Sequence, residues 1–252
     1  MTEKKEIAKK ESTGISTDVD MGIASDLTMD DCQLGAIYLL QGSSQLAKQG
    51  VNSMGHFIDL NDPEVSLGDK ESPMEFIVCS HVKYWVDKDA ETDAFIRKYN
   101  GVNEKEFPWE DVTDGKAIKR IFNISYIVIR PEDIAMGVIF PYEFVFRSSS
   151  LKIAKRLNTM FMKMANNVSN RQASWDIVLA ATPILTENNK GDSWFAPSVK
   201  KSRDATPVEV AATKEVRAQF KSITDKILAE QTDKFTEAPK TKSDKEVMSE
   251  EF

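Results

Sequence analysis

Residues 144–175, FVFRSSSLKIAKRLNTMFMKMANNVSNRQASW, decide how this chain is read. They hold no Asp or Glu, yet carry Arg147, Lys152, Lys155, Arg156, Lys163 and Arg171 in a protein of formal charge −7. Ser148, Ser149 and Ser150 each offer an N-cap hydroxyl, and no Pro or Gly follows before Pro183, so a helix is predicted from Ser150 onward. Leu151, Ala154, Leu157, Phe161, Met164 and Val168 recur at helical spacing and mark its buried stripe. Lys152, Arg156, Thr159 and Lys163 fall on another face, which places a row of cations about one turn apart. A polyanion is the natural partner of such a row; the plainer alternative is a solvated lysine face.

Strand patterns flank this helix. Residues 74–87 alternate, with Val78, Val82, Tyr84 and Val86 on one face and Ile77, Cys79, His81 and Trp85 on the other. Residues 118–130 form a second predicted strand, ended by Pro131. Residues 134–146 form a third, interrupted by Pro141 as an edge or bulge would tolerate. The charged, turn-rich span 89–114 between the first two reads as a long loop or a short helix, and residues 34–73 read as loops around one short strand at 56–60. After the helix, residues 174–186 and 193–200 make a hairpin about Glu187-Asn188-Asn189-Lys190-Gly191. Thr206-Pro207-Val208-Glu209 is a capping box that starts a second helix, reaching to about residue 231 with Ala212, Val216, Phe220, Ile223 and Ile227 as its stripe. Three strands, a helix and two more strands is the order of a five-stranded OB barrel. The expected fold is therefore α+β or mainly β: an OB-like barrel with an inserted basic helix and a C-terminal helix.

The 252 residues suffice for one substantial core with tails left over. Residues 1–31 hold eight acids against four lysines, and residues 230–252 hold seven against four, so the whole net charge sits in the ends and the span between is neutral. Residues 1–31 read as a disordered arm, 32–231 as one nucleic-acid-binding domain and 232–252 as a flexible acidic tail. Only two cysteines, Cys32 and Cys79, no recognisable signal peptide and no apolar run of membrane-spanning length lead to the expectation of a cytoplasmic protein.

Catalytic patterns are missing. There is no Gly-rich phosphate loop, no nucleophile elbow and no Ser-His-Asp order. Cys79 and His81 with Cys32 and His56 match no common zinc spacing. The acids Asp59, Asp62, Glu64 and Asp69, or Asp87, Asp89 and Glu91, are the magnesium candidates for a nuclease, but carboxylates in such loops are usually solvated turn residues. The chain reads as a binder with no metal and no cofactor.

Binding an unpaired strand requires cations along its backbone and rings for its bases, each stacked base contributing about 1–3 kcal/mol. The strands offer Lys83 with Trp85, Arg120 with Tyr126, and Trp194 and Phe195 ahead of Lys200, Lys201 and Arg203. Packing in the core is the competing role for any of these rings. The chain closes on Glu250, Glu251 and Phe252, an acidic end with one ring and a free carboxylate, suited to a basic partner pocket with one hydrophobic hole.

The acidic tail ending in Phe resembles that of bacterial and bacteriophage single-stranded DNA-binding proteins. Leu40-Gln41-Gly42-Ser43-Ser44, Gly55-His56-Phe57-Ile58-Asp59, PMEFIV at 73–78, and Trp194-Phe195 followed by Arg203-Asp204-Ala205-Thr206-Pro207 and Glu209 look like a family of phage replication-region proteins. The resemblance spans most of residues 34–220. It implies an OB-like fold, coating of displaced strands in DNA replication and recombination, and tail-mediated contact with a polymerase, primase or helicase. The partners expected are single-stranded DNA and those replication proteins, with a homo-oligomer as an option and no membrane. The alternatives are a virion scaffold protein and, behind it, a metal-dependent nuclease.

Overall fold

A computed structural model describes residues 34–113 and 116–234, leaving aside the side chains of residues 45, 113 and 221–234. Ten strands are present among the described residues: β1 (Gly35–Leu39), β2 (Phe57–Asp59), β3 (Asp62–Gly68), β4 (Met74–Asp89), β5 (Phe95–Asn100), β6 (Glu110–Thr113), β7 (Lys116–Ile129), β8 (Tyr142–Arg147), β9 (Ile177–Glu187) and β10 (Ser193–Asp204). Four helices accompany them: α1 (Gln45–Lys48), α2 (Pro131–Ala135), α3 (Leu151–Ala165) and α4 (Pro207–Lys234). The sheet runs β10-β9-β4-β7-β8-β1-β2-β3, with β5 added to β4 and β6 to β7. It is mixed because β1 and β8 pair in parallel.

Strand β4 organises the sheet. One edge carries β7 along residues 77–89, and further pairings add β9 at residues 74–76 and β5 at residues 84–88. The ladder with β7 shifts between Val78 and Ser80, a bulge that re-aims the strand. Side chains serve the backbone there: Ser174 Oγ donates to the Val78 carbonyl (3.1 Å) and Arg217 Nη1 to the Cys79 carbonyl (3.0 Å). The Arg217 guanidinium also lies 4.9 Å from the centre of the Trp175 ring, so α4 is docked on the bulge.

Strand alternation builds the core. Trp85, Phe122, Ile124, Tyr126, Phe144 and Phe146 form one buried cluster with Leu151, Ala154 and Leu157 of α3. Rings meet edge to face: Phe144 with Phe57 at 5.9 Å and with Phe76 at 5.6 Å. Tyr126 Oη lies 3.0 Å from the Ala154 carbonyl oxygen and 2.9 Å from Asn158 Oδ1, which ties α3 to β7.

The five-stranded OB barrel expected from the sequence is not formed. The sheet is open and twice as wide, with β3 and β10 at opposite ends of its path. Of the strands left out of the expectation, β1 alternates but is only five residues long, and the others lack the alternation that marks a buried face. β3 is DPEVSLG with mostly exposed residues, β5 is FIRKYN, and β6 is only four residues long. The predicted third strand, 134–146, begins instead in the end of α2, a helix that starts at Pro131 where Pro suits the first helical position, and is extended only beyond Pro141 as β8. Of the predicted terminal regions, 1–31 and 235–252 lie outside the described residues.

The predicted capping box at α4 is present and extended by an ion pair. Thr206 N–H donates to Glu209 Oε2 (2.7 Å), and Arg203 holds the same carboxylate through Nη1 (2.9 Å) and Nη2 (2.7 Å). The Arg203 guanidinium, ahead of the Thr206 bonds, holds the Glu209 carboxyl at about 2. A carboxyl depressed in the folded state stabilises it above its unfolded pKa, near 4.5, and that contribution disappears as pH falls toward 2. Glu209→Gln is expected to lower stability by about 2 kcal/mol at pH 7, discounted for the exposure of Arg203. Urea midpoints of the two proteins should converge between pH 4.5 and pH 2; a gap that stays constant would rule out this account.

Candidate nucleic-acid interface

Helix α3 leaves β8 through a tight turn at Ser148–Ser150. Ser148 adopts φ +50°, uncommon for a residue other than Gly, and Ser150 Oγ accepts from Arg147 N–H and donates to the Arg147 carbonyl, each at 2.8 Å. These bonds fix where the helix begins and which face it turns outward. Leu151, Ala154 and Leu157 are buried, whereas Lys152, Lys155, Arg156, Thr159 and Lys163 are exposed. Val168, placed in the buried stripe by its spacing, lies past the helix end and is 91% exposed. Lys155 pairs with Glu104 at 2.6 Å. Lys152, Arg156 and Lys163 meet no carboxylate among the described residues, so the row retains cations whose charge is not already neutralised.

Three cavities adjoin this row and share walls. A basin of about 490 Å³ lies over α3 among Arg156, Met160, Lys163 and Met164. Arg156 and Met160 also line a second cavity of about 330 Å³, closed on its far side by Ile184 and Pro197 of the β9–β10 hairpin. Ala196 and Pro197 belong in turn to a groove of about 750 Å³ at the beginning of α3. The three cavities are thus neighbours that share wall residues, each with at least one cation in its lining.

The large groove opens where two strands part. Parallel pairing joins residues 35–37 to residues 142–144 and stops there, although β1 continues to Leu39 and β8 to Arg147. Tyr38, Val145 and Arg147 line the gap. The hairpin end is held over it by Gln41, whose Nε2 donates to the Phe195 carbonyl (2.9 Å) and whose Oε1 accepts from Phe195 N–H (2.8 Å). Gly55, at φ +81°, leaves space for the Phe195 ring; a Cβ there would approach it to 2.9 Å. Inside the groove Glu143 Oε1 accepts from Ser125 Oγ (2.7 Å) and Tyr84 Oη (3.1 Å). Burial, followed by the Glu143 charge, raises the Tyr84 hydroxyl well above its ordinary pKa, so it remains a donor.

The remaining sequence candidates divide between core and surface. Trp85, Arg120 and Tyr126, expected on a binding surface, are 0%, 1% and 1% exposed. Alternation placed Trp85 and Tyr126 on the face that α3 covers, where Trp85 packs at 5.1 Å on Phe122. Arg120 is held by Asp87 (3.2 Å) and Asp111 (2.7 Å), with Arg97 and Tyr99 also on Asp87. Arg203 is committed to Glu209 and Lys201 to Asp204, leaving Lys200 exposed without an ion pair among the described residues. Lys83 reaches the Val102 carbonyl at 3.5 Å, and Arg171 is exposed past the end of α3. Trp194 and Phe195, candidates for stacking on bases, are half-buried walls of the groove, and the Trp194 indole N–H is buried without a partner among the described residues. Glu250, Glu251 and Phe252 lie outside the described residues.

The metal options receive other roles. Burial pushes the Cys79 thiol up to about 12, which disfavours the thiolate that zinc binding requires. Asp87, proposed for magnesium, already faces two arginines. Tyr38 and Glu143 were not singled out in the sequence; the alternation Glu143, Val145, Arg147 within YEFVFR is the signal that points to Glu143, and the alternation of Ala36 and Tyr38 with buried Ile37 and Leu39 in GAIYL is the one that points to Tyr38. No helix among the described residues is long and apolar enough to cross a membrane. No family model matches the chain, and no curated protein or solved structure matches it.

Arg120 thus contributes to the fold rather than to a surface. Arg120→Gln leaves Asp87 buried with a weakened partner set and is expected to cost about 3 kcal/mol. The measurement is a urea midpoint; a stable variant with selectively lost strand binding would return Arg120 to the interface.

Proposed function

We propose that the protein binds single-stranded DNA without reading a defined sequence, as a non-enzymatic component of DNA replication and recombination in a virus or mobile element acting in the host cytoplasm. The observation that carries this reading is a set of three neighbouring cavities with shared wall residues, whose linings include Arg147, Arg156 and Lys163. Phosphates suit these cations because they have no ion-pair partner among the described residues. Unstacked bases suit the linings where Met160, Pro197 and the half-buried Trp194 present apolar surface. In this reading the acidic end with Glu250, Glu251 and Phe252 recruits a polymerase, primase or helicase.

Counterion release sets the expected magnitude. With about four phosphates neutralised, affinity for an unstructured oligonucleotide should fall about 50-fold between 50 and 200 mM salt. Changing Lys152, Arg156 and Lys163 together to Glu should abolish binding in fluorescence polarisation while leaving the urea midpoint close to that of the parent. Unchanged affinity would remove α3 from the interface. Equal affinity for a duplex of the same length would remove the cavities from the explanation. Assembly that persists without nucleic acid at high salt would favour the scaffold reading instead.

A further inference from the structure

The large groove between β1 and β8 differs from the two cavities beside α3. Its lining joins one exposed cation, Arg147, to one half-buried carboxylate, Glu143, and both stand on the same face of the same strand. Four strand positions separate them, about 13 Å between Cα atoms. Glu143 Oε1 is occupied by Ser125 and Tyr84, which fix the carboxylate's orientation, while Oε2 accepts no hydrogen bond among the described residues. A carboxylate at that position repels phosphate from the groove interior. It also accepts from an amino group, as acidic side chains accept from the N4 amino group of cytosine.

We infer that the β1–β8 groove is a nucleotide pocket that holds a phosphate at Arg147 and selects a base bearing an exocyclic amino group through Glu143. Tyr38 and Val145 flank the gap, and Trp194 closes the hairpin side, so a planar base enters between apolar walls. Cytosine, adenine and guanine carry the amino donor; thymine presents a carbonyl oxygen to the same carboxylate and is disfavoured. The inference rests on the single-strand reading above and deepens it. The protein remains indifferent to the order of bases, but favours strands by base type at one position of each bound segment.

The test is fluorescence polarisation at pH 7.5 with labelled oligo(dC) and oligo(dT) of equal length, using the full chain. Binding to oligo(dC) should be about fivefold tighter than to oligo(dT). A strand of N4,N4-dimethylcytosine, which keeps the ring and loses both amino hydrogens, should bind like oligo(dT); this arm leaves the protein unaltered. Glu143→Gln, which offers thymine an N–H donor, should bring the two affinities within about twofold, mainly by improving oligo(dT). A dC-to-dT ratio within twofold in the parent, or dimethylcytosine binding as tightly as cytosine, overturns the pocket while leaving single-strand binding intact. Absence of binding to either oligonucleotide overturns both.

Discussion

The bulge at Cys79 is the constraint on which the rest of the architecture depends. A sixteen-residue strand cannot remain flat while pairing with β9 near its start and β7 and β5 further along. The irregularity lets β4 serve both directions, because an inserted residue increases local twist and redirects the strand. Its cost is backbone carbonyls without regular ladder partners, and a buried carbonyl left unpaired costs about 1–3 kcal/mol. Ser174 and Arg217 supply those bonds from outside the ladder. The same contacts anchor the start of β9 and the side of α4, so one local defect ties together three elements distant in sequence.

Charge in this protein performs two separate tasks. Arg97, Arg120 and Arg203 are held by carboxylates at 2.7 to 3.2 Å, and each of these pairs joins neighbouring elements. Such pairs are nearly silent toward an external anion, since their field is cancelled within a few ångströms. Lys152, Arg156 and Lys163 project from a helix whose opposite stripe is buried. Their repulsion is tolerated because water screens them over about 8–10 Å. An anion that displaces that water finds the charges already placed.

The readable parts of the sequence were those where periodicity and burial agree. β4 and β7 were legible because they are long runs of β-branched and aromatic residues, buried on both faces over Phe76–Cys79 and Phe122–Ile129. α3 was legible from Ser150 to Ala165, and the α4 cap from Thr206 and Glu209. β5 and β6 were not, since Arg97, Tyr99 and Asp111 are polar side chains that enter the structure through ion pairs and hydrogen bonds rather than through an apolar pattern. The site was half legible for the same reason. A cationic helix face is written in spacing, but whether Arg203 or Arg147 is free depends on which carboxylate the fold brings near. Glu209 lies six residues from Arg203 and captures it. Arg147 ends β8 and forms no ion pair among the described residues; the Asp93 carboxylate lies within its electrostatic reach but is held by Lys88.

The parting of β1 from β8 links fold to binding. Had the parallel pairing continued past Ile37 and Phe144, Tyr38, Val145 and Arg147 would line a closed ladder and no groove would exist. The hairpin held by Gln41 and seated over Gly55 then roofs the opening instead of filling it. A duplex keeps its bases stacked and could engage only the cations, leaving the apolar linings hydrated. Under the proposed function an unpaired strand would gain both contributions, because its bases are free to leave water for the cavities while its phosphates meet the cations of α3. The helix would then contribute salt-sensitive affinity, and discrimination between single and double strands would arise in the cavities lined by α3, the hairpin and the unpaired ends of β1 and β8.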